Sequence, residues 1–515
     1  MTQAASPTVA TPVAGRSYAS RYFNEWFGNI RADILAGIVV ALALIPEAIG
    51  FALIAGVDPS VGLYASVAIA MVIALVGGRP GMISAATAAV AVVVVPLVRE
   101  YGVEYLFAAT ILMGLIQGVA AILRLDLLMQ FVSRSVITGF VNALAILIFI
   151  AQIPQLDPRT DGVTWVTYAM VAAGLAMIYG VPRLTKVVPS PLVAIVVLTA
   201  VAVFWGAPVI SVGQMGELPT GLPSLTWPDV PLTLETLRII APYSITMAAV
   251  GLLESLLTAQ IVDDMTHTDS NKRQEVAGQG FANFVAACFG GMGGCAMIGQ
   301  SVINVASGGR GRLSTFVAGA FLLFLLTVLG SYVGAVPMPA LVAVMIMVSI
   351  GTFSWNSIPN LRVHPPASSA VMLATVAVTV WTHDLALGVL TGVLLSGIFF
   401  AGKVRNMFTV ERVRRPHSAV YHISGQVFFA SVDKFQQMIG PESGHADASD
   451  TVVIDVSKAH FWDISAIGAL EKAVDRMRRN GRHTRIVGLN TASADLFDRH
   501  ALEDRTGLEQ GLAPH

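Results

Sequence analysis

Residues 244–309, SITMAAVGLLESLLTAQIVDDMTHTDSNKRQEVAGQGFANFVAACFGGMGGCAMIGQSVINVASGG, decide the fold. The stretch opens as an apolar helix with a carboxylate, Glu254, at its centre, Ser255 beside it and Thr258 one turn on. A charged loop and a second apolar segment follow. Then Gly290, Gly291, Gly293 and Gly294 break the chain before a short segment, Ala296 to Gly308. A charge inside an apolar span is costly and points to a functional site. A short, glycine-interrupted hydrophobic segment points to a transporter binding site.

The rest of the chain reads as scaffold for that stretch. Of 515 residues, 55% are hydrophobic and 12% charged, with a mean hydropathy of +0.71, which excludes an ordinary soluble enzyme. The net charge of −1 gives no nucleic-acid signal. Cys288 and Cys295 match no metal or redox spacing and read as small buried hydrophobes. No nucleophile–base set points to an enzyme, and no cofactor is expected beyond a coupling ion. Residues 1–20 read as a disordered tail without the apolar core of a signal peptide. Residues 21–405 read as a membrane transport domain and residues 406–515 as a small cytoplasmic α/β domain.

Fourteen apolar segments are expected in the membrane part, at about 33–55, 61–77, 83–98, 105–124, 131–154, 163–181, 189–206, 239–262, 276–290, 296–308, 313–333, 337–352, 367–381 and 385–403. The third and tenth are too short to cross a hydrocarbon core of roughly 30 Å as helices. Sorting the 18 Lys and Arg of residues 1–405 by loop puts all but Arg99, Arg159 and Arg238 on the side of the termini. Positive loops stay inside, so both termini are expected in the cytoplasm and the protein in the cytoplasmic membrane. The two short segments lie seven spans apart, and seven is odd. Spans 1–7 and 8–14 would then be inverted repeats.

Each short segment follows a glycine-containing break and opens with small or hydroxyl residues, Ser84, Ala85, Ala86 and Thr87 in one, Ala296, Gly299 and Ser301 in the other. Half-helices whose N-termini meet near the midplane would aim unpaired N–H groups at an anion. The bland alternative is a pair of Ala/Gly-rich packing helices. Glu254 and Thr258 share a helix face, where they suit Na⁺ or, through the carboxyl alone, a proton. Glu47 in LALIPEAIGFALIAG is the second intramembrane carboxylate; it follows Pro46, and Pro46 and Gly50 are expected to interrupt the helix. Phe51 lies one turn on. Met297, Ile298, Gly299, Gln300 and Ser301 complete the expected substrate site. Asp263, Asp264 and Asp269 read as solvated loop residues.

From about Phe408, strands are expected at SAVYHIS, QVFFASV, TVVIDVS and TRIVGLN. Helices are expected at VDKFQQMI, from Ile464 to Asn480, and from about Ala492. Ser465 reads as a helix N-cap, or else as a regulatory phosphorylation site.

Several of these motifs also carry a resemblance. DILAGIVVALALIPEAIGFALIAGVDPSVGLYAS resembles the first-span signature of the SulP anion transporters, which include sulfate permeases, bicarbonate transporters and prestin. VGLLESLLTAQ, GFANFVAACFGG and SVINVASGGRGRLS resemble spans 8 to 10 of that family, and the C-terminal region its STAS domain. The resemblance implies core and gate domains, an anion held between half-helices 3 and 10, a homodimer and elevator-type movement. It also implies a substrate contact at Phe51 and, as in sodium-coupled members, a cation site at Glu254 and Thr258.

The chain departs from the family pattern at two positions. Gly299-Gln300-Ser301 stands where many members have Ser-Arg-Ser, and Glu47 where many have Gln. Two acids without the arginine favour symport of the anion with H⁺ or Na⁺ over free exchange. An uncoupled exchanger or channel-like conductor is the alternative. Bicarbonate, sulfate and short dicarboxylates all remain open as substrates.

Overall fold

The computed structural model describes residues 18–124, 132–160, 163–183, 189–215, 221–405, 407–415, 418–439 and 451–500. Of the expected disordered tail, residues 18–20 are helical and the rest lies outside the described residues. The chain divides into two compact units, residues 1–393 and 394–515.

The first unit is helical. It comprises α1 (Tyr18–Phe27), α2 (Ile30–Ala55), α3 (Pro59–Val76), β1 (Ser84–Ala86), α4 (Ala88–Tyr101), α5 (Val103–Ile122), α6 (Arg134–Ile150), α7 (Trp165–Gly180) and α8 (Ser190–Trp205). Then come α9 (Leu234–Thr266), α10 (Lys272–Cys288), β2 (Gly294–Ala296), α11 (Ile298–Ala306), α12 (Arg312–Val333), α13 (Met338–Thr352), α14 (Ser357–Val363) and α15 (Pro366–Thr382). Helix α16 (Leu385–Val404) carries the division between the units.

Among the described residues, each of the fourteen expected apolar segments falls on a helix, and α1 and α14 are additional. Eight helical stretches among the described residues are long and apolar enough to span a bilayer. Two packing groups emerge. Helices α2, α3, α4, α5, α9, α10, α11 and α12 pack on one another, and α6, α7, α8, α13 and α15 form a second group. Glycines permit the closest approach. A Cβ on Gly114 of α5 would come within 2.6 Å of the Gly280 carbonyl of α10, and one on Gly280 within 2.7 Å of the Gly114 carbonyl.

Helix α2 runs through Pro46 and Gly50 without interruption, so the expected break there is absent. The apolar surroundings hold the helix together at the loss of a single ladder bond.

Two buried carboxylates hold loops of this unit. Asp33 accepts the backbone N–H groups of Arg310 (2.8 Å) and Gly311 (3.1 Å). Glu275 accepts those of Gly78 (2.8 Å) and Arg79 (3.0 Å). Loop donors buried away from water need such partners.

The second unit comprises β3 (Phe408–Arg415), β4 (Ser418–Val427), α17 (Val432–Met438), β5 (Thr451–Phe461), α18 (Ile464–Arg479), β6 (His483–Val487) and α19 (Thr491–His500). The sheet order is β3-β4-β5-β6, antiparallel between β3 and β4 and parallel elsewhere. It has its own apolar core around Phe435, Ile454, Leu470 and Phe497.

Two expectations change here. Strand β3 was not foreseen, and QVFFASV is not a strand of its own. Gln426 and Val427 end β4, and Phe429–Ser431 turn the chain into α17, with the Ser431 hydroxyl accepting the Phe428 N–H at 2.9 Å.

Candidate functional site

Strands β1 and β2 pair antiparallel, Ser84 with Ala296, Ala85 with Cys295 and Ala86 with Gly294. Each runs into a helix, β1 into α4 and β2 into α11, so the two helices leave from opposite ends of the ladder. In this register Met297 falls opposite Ile83, four residues from Thr87, so at about 3.3 Å per residue the two residues that precede the helices are separated by roughly 13 Å. Ser84, Ala85 and Ala296 therefore lie in the strands and do not open the helices, as had been expected. The first helical residues are Ala88 and Ile298. The N-caps are Thr87 and Met297, and neither makes a side-chain capping bond. Both helix starts thus keep the backbone N–H groups that a capping side chain would occupy.

Glu47 is buried on α2, and the Gln300 side-chain amide in the first turn of α11 donates to its carboxylate. Glu254 on α9 is half-buried and accepts the Cys295 thiol at 3.0 Å. The Thr87 hydroxyl lies 3.2 Å from the same sulfur. The two acids therefore meet one segment of chain, at Cys295 and Gln300.

The hydroxyl of Thr258 shares a face with Glu254 but does not bond its carboxyl. It donates to the Glu254 backbone carbonyl at 2.8 Å and lies 3.5 Å from the Ala296 carbonyl. Ser255 accepts the Ala296 N–H at 3.1 Å.

The other expected site residues divide into anchors and open positions. Ser84 accepts the Gln279 amide at 2.7 Å, and Ser301 accepts the Ile83 N–H at 3.0 Å. Both hydroxyls serve the strand crossing. Phe51 and Met297 are buried in the apolar core, and Ala85 lies in the ladder. Ile298 is half-buried and Gly299 exposed, and a Cβ on Gly299 would meet open space.

The sequence reading missed a polar stripe along α10. Glu275, Gln279 and Asn283, at i, i+4 and i+8, are fully buried. Gln279 joins Glu275 (2.8 Å) to Ser84. Asn283 accepts the Gly294 N–H at 2.8 Å and donates to the Gly294 carbonyl at 3.1 Å, and it also donates to Gln117 of α5 at 3.0 Å. One helix thereby holds both strands.

Three further readings are corrected. Asp263 lies in α9, which extends to Thr266, and is paired with Arg79 at 3.1 Å; Asp264 and Asp269 are exposed. Cys295 is a hydrogen-bonding group and not only a small apolar filler. Asp463, not Ser465, caps α18, accepting the Ala466 N–H at 2.9 Å, and Ser465 is exposed in the first turn.

On the second unit, Asp455 accepts the Ser457 hydroxyl at 2.5 Å and the Ser457 N–H at 3.0 Å and pairs with His422 at 2.9 Å. Partial burial pushes its carboxyl up, but these bonds outweigh that and hold it below the ordinary carboxylate value.

Broken helices starting at a buried strand pair, inside a polytopic helical bundle, define a membrane transporter. The sequence profile of the Sulfate permease family matches residues 30–164 and 156–375, and that of the STAS domain residues 409–513. The chain belongs to the sulfate permease family and carries a C-terminal STAS domain.

Among its relatives, the "Putative sulfate transporter YbaR" of Bacillus subtilis (strain 168) is 56% identical over 93% of this chain and 98% of its own length. The bicarbonate transporter BicA of a Picosynechococcus species is 25% identical over 90% of this chain and 89% of its own. The solved transmembrane domain of a cyanobacterial BicA superposes with a TM-score of 0.63 at 25% identity, over 71% of this chain and 98% of that one. Murine Slc26a9, an anion transporter solved in the inward-facing state, superposes with a TM-score of 0.81 at 16% identity, over 95% and 92%. The latter likeness is one of fold.

Proposed function

We propose that the protein is a secondary active transporter that carries a small anion together with a proton. The anion sits between the starts of α4 and α11, and Glu254 carries the proton, with Glu47 as the second acid of the site. The observation that bears this reading is the convergence of two uncapped helix starts and two acids on one strand crossing. Helix-start N–H groups favour an anion. Two carboxylates beside it oppose an anion unless a cation neutralises one of them.

A proton fits better than Na⁺ because the carboxyl of Glu254 is engaged by a thiol, a poor ligand for hard cations, and not by Thr258. Sulfate, bicarbonate and short dicarboxylates are the substrate classes that the relatives' names and the site's chemistry support. The charge sorting of the loops supports a cytoplasmic-membrane protein with both termini inside. A homodimer, inverted repeats and elevator movement of the first helix group against the second belong to the same proposal. Exposed Ser465 remains a candidate for regulatory modification.

Uptake of labelled sulfate, bicarbonate and succinate into proteoliposomes tests it, driven in turn by inward H⁺ and inward Na⁺ gradients. Accumulation under H⁺ alone is expected. Accumulation under Na⁺ alone returns Glu254 and Thr258 to a sodium site, and transport that neither gradient drives leaves an uncoupled conductor.

A further inference from the structure

The acid proposed to carry the proton does not touch the helix starts proposed to hold the anion. Between them stand two side chains in series. Glu254 Oε2 on α9 is 3.0 Å from Cys295 Sγ on β2, and that sulfur is 3.2 Å from Thr87 Oγ1, the N-cap residue of α4. Cys295 is fully buried and Thr87 is 2% exposed, so water does not compete for either bond. Thr87 is a residue type that ordinarily caps its own helix, yet its hydroxyl faces the sulfur instead.

Resting on the proton-symport reading above, we propose that Thr87, Cys295 and Glu254 form a reversible hydrogen-bond relay that couples proton binding to anion binding. A hydroxyl and a thiol each carry one proton, and each both donates and accepts. With Glu254 ionised, the thiol donates to the carboxylate and the sulfur accepts the Thr87 hydroxyl. The single Thr87 proton is then turned away from the α4 start. With Glu254 protonated, its O–H donates to the sulfur and the thiol proton turns to Thr87 Oγ1. The Thr87 O–H is then free to donate to an anion at the α4 start. Each of the two relay residues keeps its own proton throughout. The only proton gained or lost is the one on Glu254, taken from one side of the membrane and released on the other.

The relay makes Cys295 a positioning residue, acting on the site through Thr87. The other acid meeting this segment, Glu47, is engaged by Gln300 and lies outside the series. Ser255 and Thr258, the neighbours of Glu254 on its own helix, are bonded to the Ala296 N–H and to backbone carbonyls.

The test compares wild type, Cys295→Ala and Cys295→Ser in proteoliposomes. The readout is sulfate accumulation under an inward H⁺ gradient, normalised to each variant's own gradient-free sulfate exchange. The alanine variant should lose this ratio by about tenfold or more, and the serine variant, which restores one donor and one acceptor, should keep it within about twofold. An alanine variant as tightly coupled as wild type overturns the relay while leaving proton symport standing. A wild type without H⁺-driven accumulation of any anion in the panel overturns both.

A second readout does not depend on how Cys295→Ala folds. In a Cys288→Ser background the S–H infrared stretch reports Cys295 alone. It should shift on acidification in that protein and stay fixed when Glu254→Gln is added, and a pH-independent band overturns the relay.

Discussion

Gln300, in the first turn of α11, donates its side-chain amide to the buried carboxylate of Glu47 on α2, joining positions 253 residues apart. The bond ties the second acid of the site to one of the two helix starts, and among the described residues neither Glu47 nor Glu254 is paired with a Lys or Arg.

Gln300→Leu removes the donor to Glu47 and leaves a buried acceptor unpaired. A loss of about 1–3 kcal/mol in stability is expected, read as a lower melting temperature of the detergent-solubilised protein, together with weaker anion uptake. Gln300→Arg should instead pair with Glu47 and make sulfate uptake less dependent on low external pH. Unchanged pH dependence in the arginine variant would contradict a role for the site's charge balance.

Asn283→Ala strips both backbone groups of Gly294 of their partner. With no water in the bilayer core to replace it, each unmet group costs about 1–3 kcal/mol. Asn283→Ala should therefore melt well below wild type, and transport should fall with it. Phe281→Ala, at an exposed position of the same helix, is the control and should change little.

Asp263→Ala removes the carboxylate paired with the buried Arg79 guanidinium. Removing one partner of a buried pair costs about 3–5 kcal/mol, whereas replacing both by apolar residues costs much less. Thermal melts of Asp263→Ala and of the double variant Arg79→Leu, Asp263→Leu should therefore rank the double variant as the more stable.

Asp455, on the second unit, gives a pH dependence with a definite sign. Its folded carboxyl is held below the ordinary value, so its contribution is present at neutral pH and is lost as pH falls through the folded value. Ser457→Ala removes a donor from the carboxylate, and the domain should then unfold at a higher pH during acid titration followed by circular dichroism. An unchanged or lower unfolding pH would contradict this assignment.

How much of this was legible in the sequence depended on whether a residue stood out locally. Glu47 and Glu254 did, because a carboxylate in an apolar run is conspicuous. The full-length spans did too, because each is a long apolar run. Gln279 and Asn283 did not stand out, being uncharged amides in a segment read for its hydropathy, although their spacing from Glu275 was there to count. Three-residue strands of Ser, Ala and Cys have no readable period, so β1 and β2 were absorbed into the helices that follow. Asp263 pairs with a residue 184 positions away, and nothing near it in the chain announces Arg79. At the start of α18 both Asp463 and Ser465 are capping types. Which one caps depends on the phase at which the helix meets its core, and Ala466 and Ile467 are the first residues to enter it.

The central claim is that a proton crosses with the anion. The direct measurement is the luminal pH of proteoliposomes containing an impermeant pH indicator, with no initial pH gradient, on adding external sulfate or succinate with the membrane potential clamped. The account predicts that a transported anion acidifies the lumen, and that Glu254→Gln abolishes the acidification while the protein remains folded. Anion entry at constant luminal pH, or acidification that persists in Glu254→Gln, would contradict it.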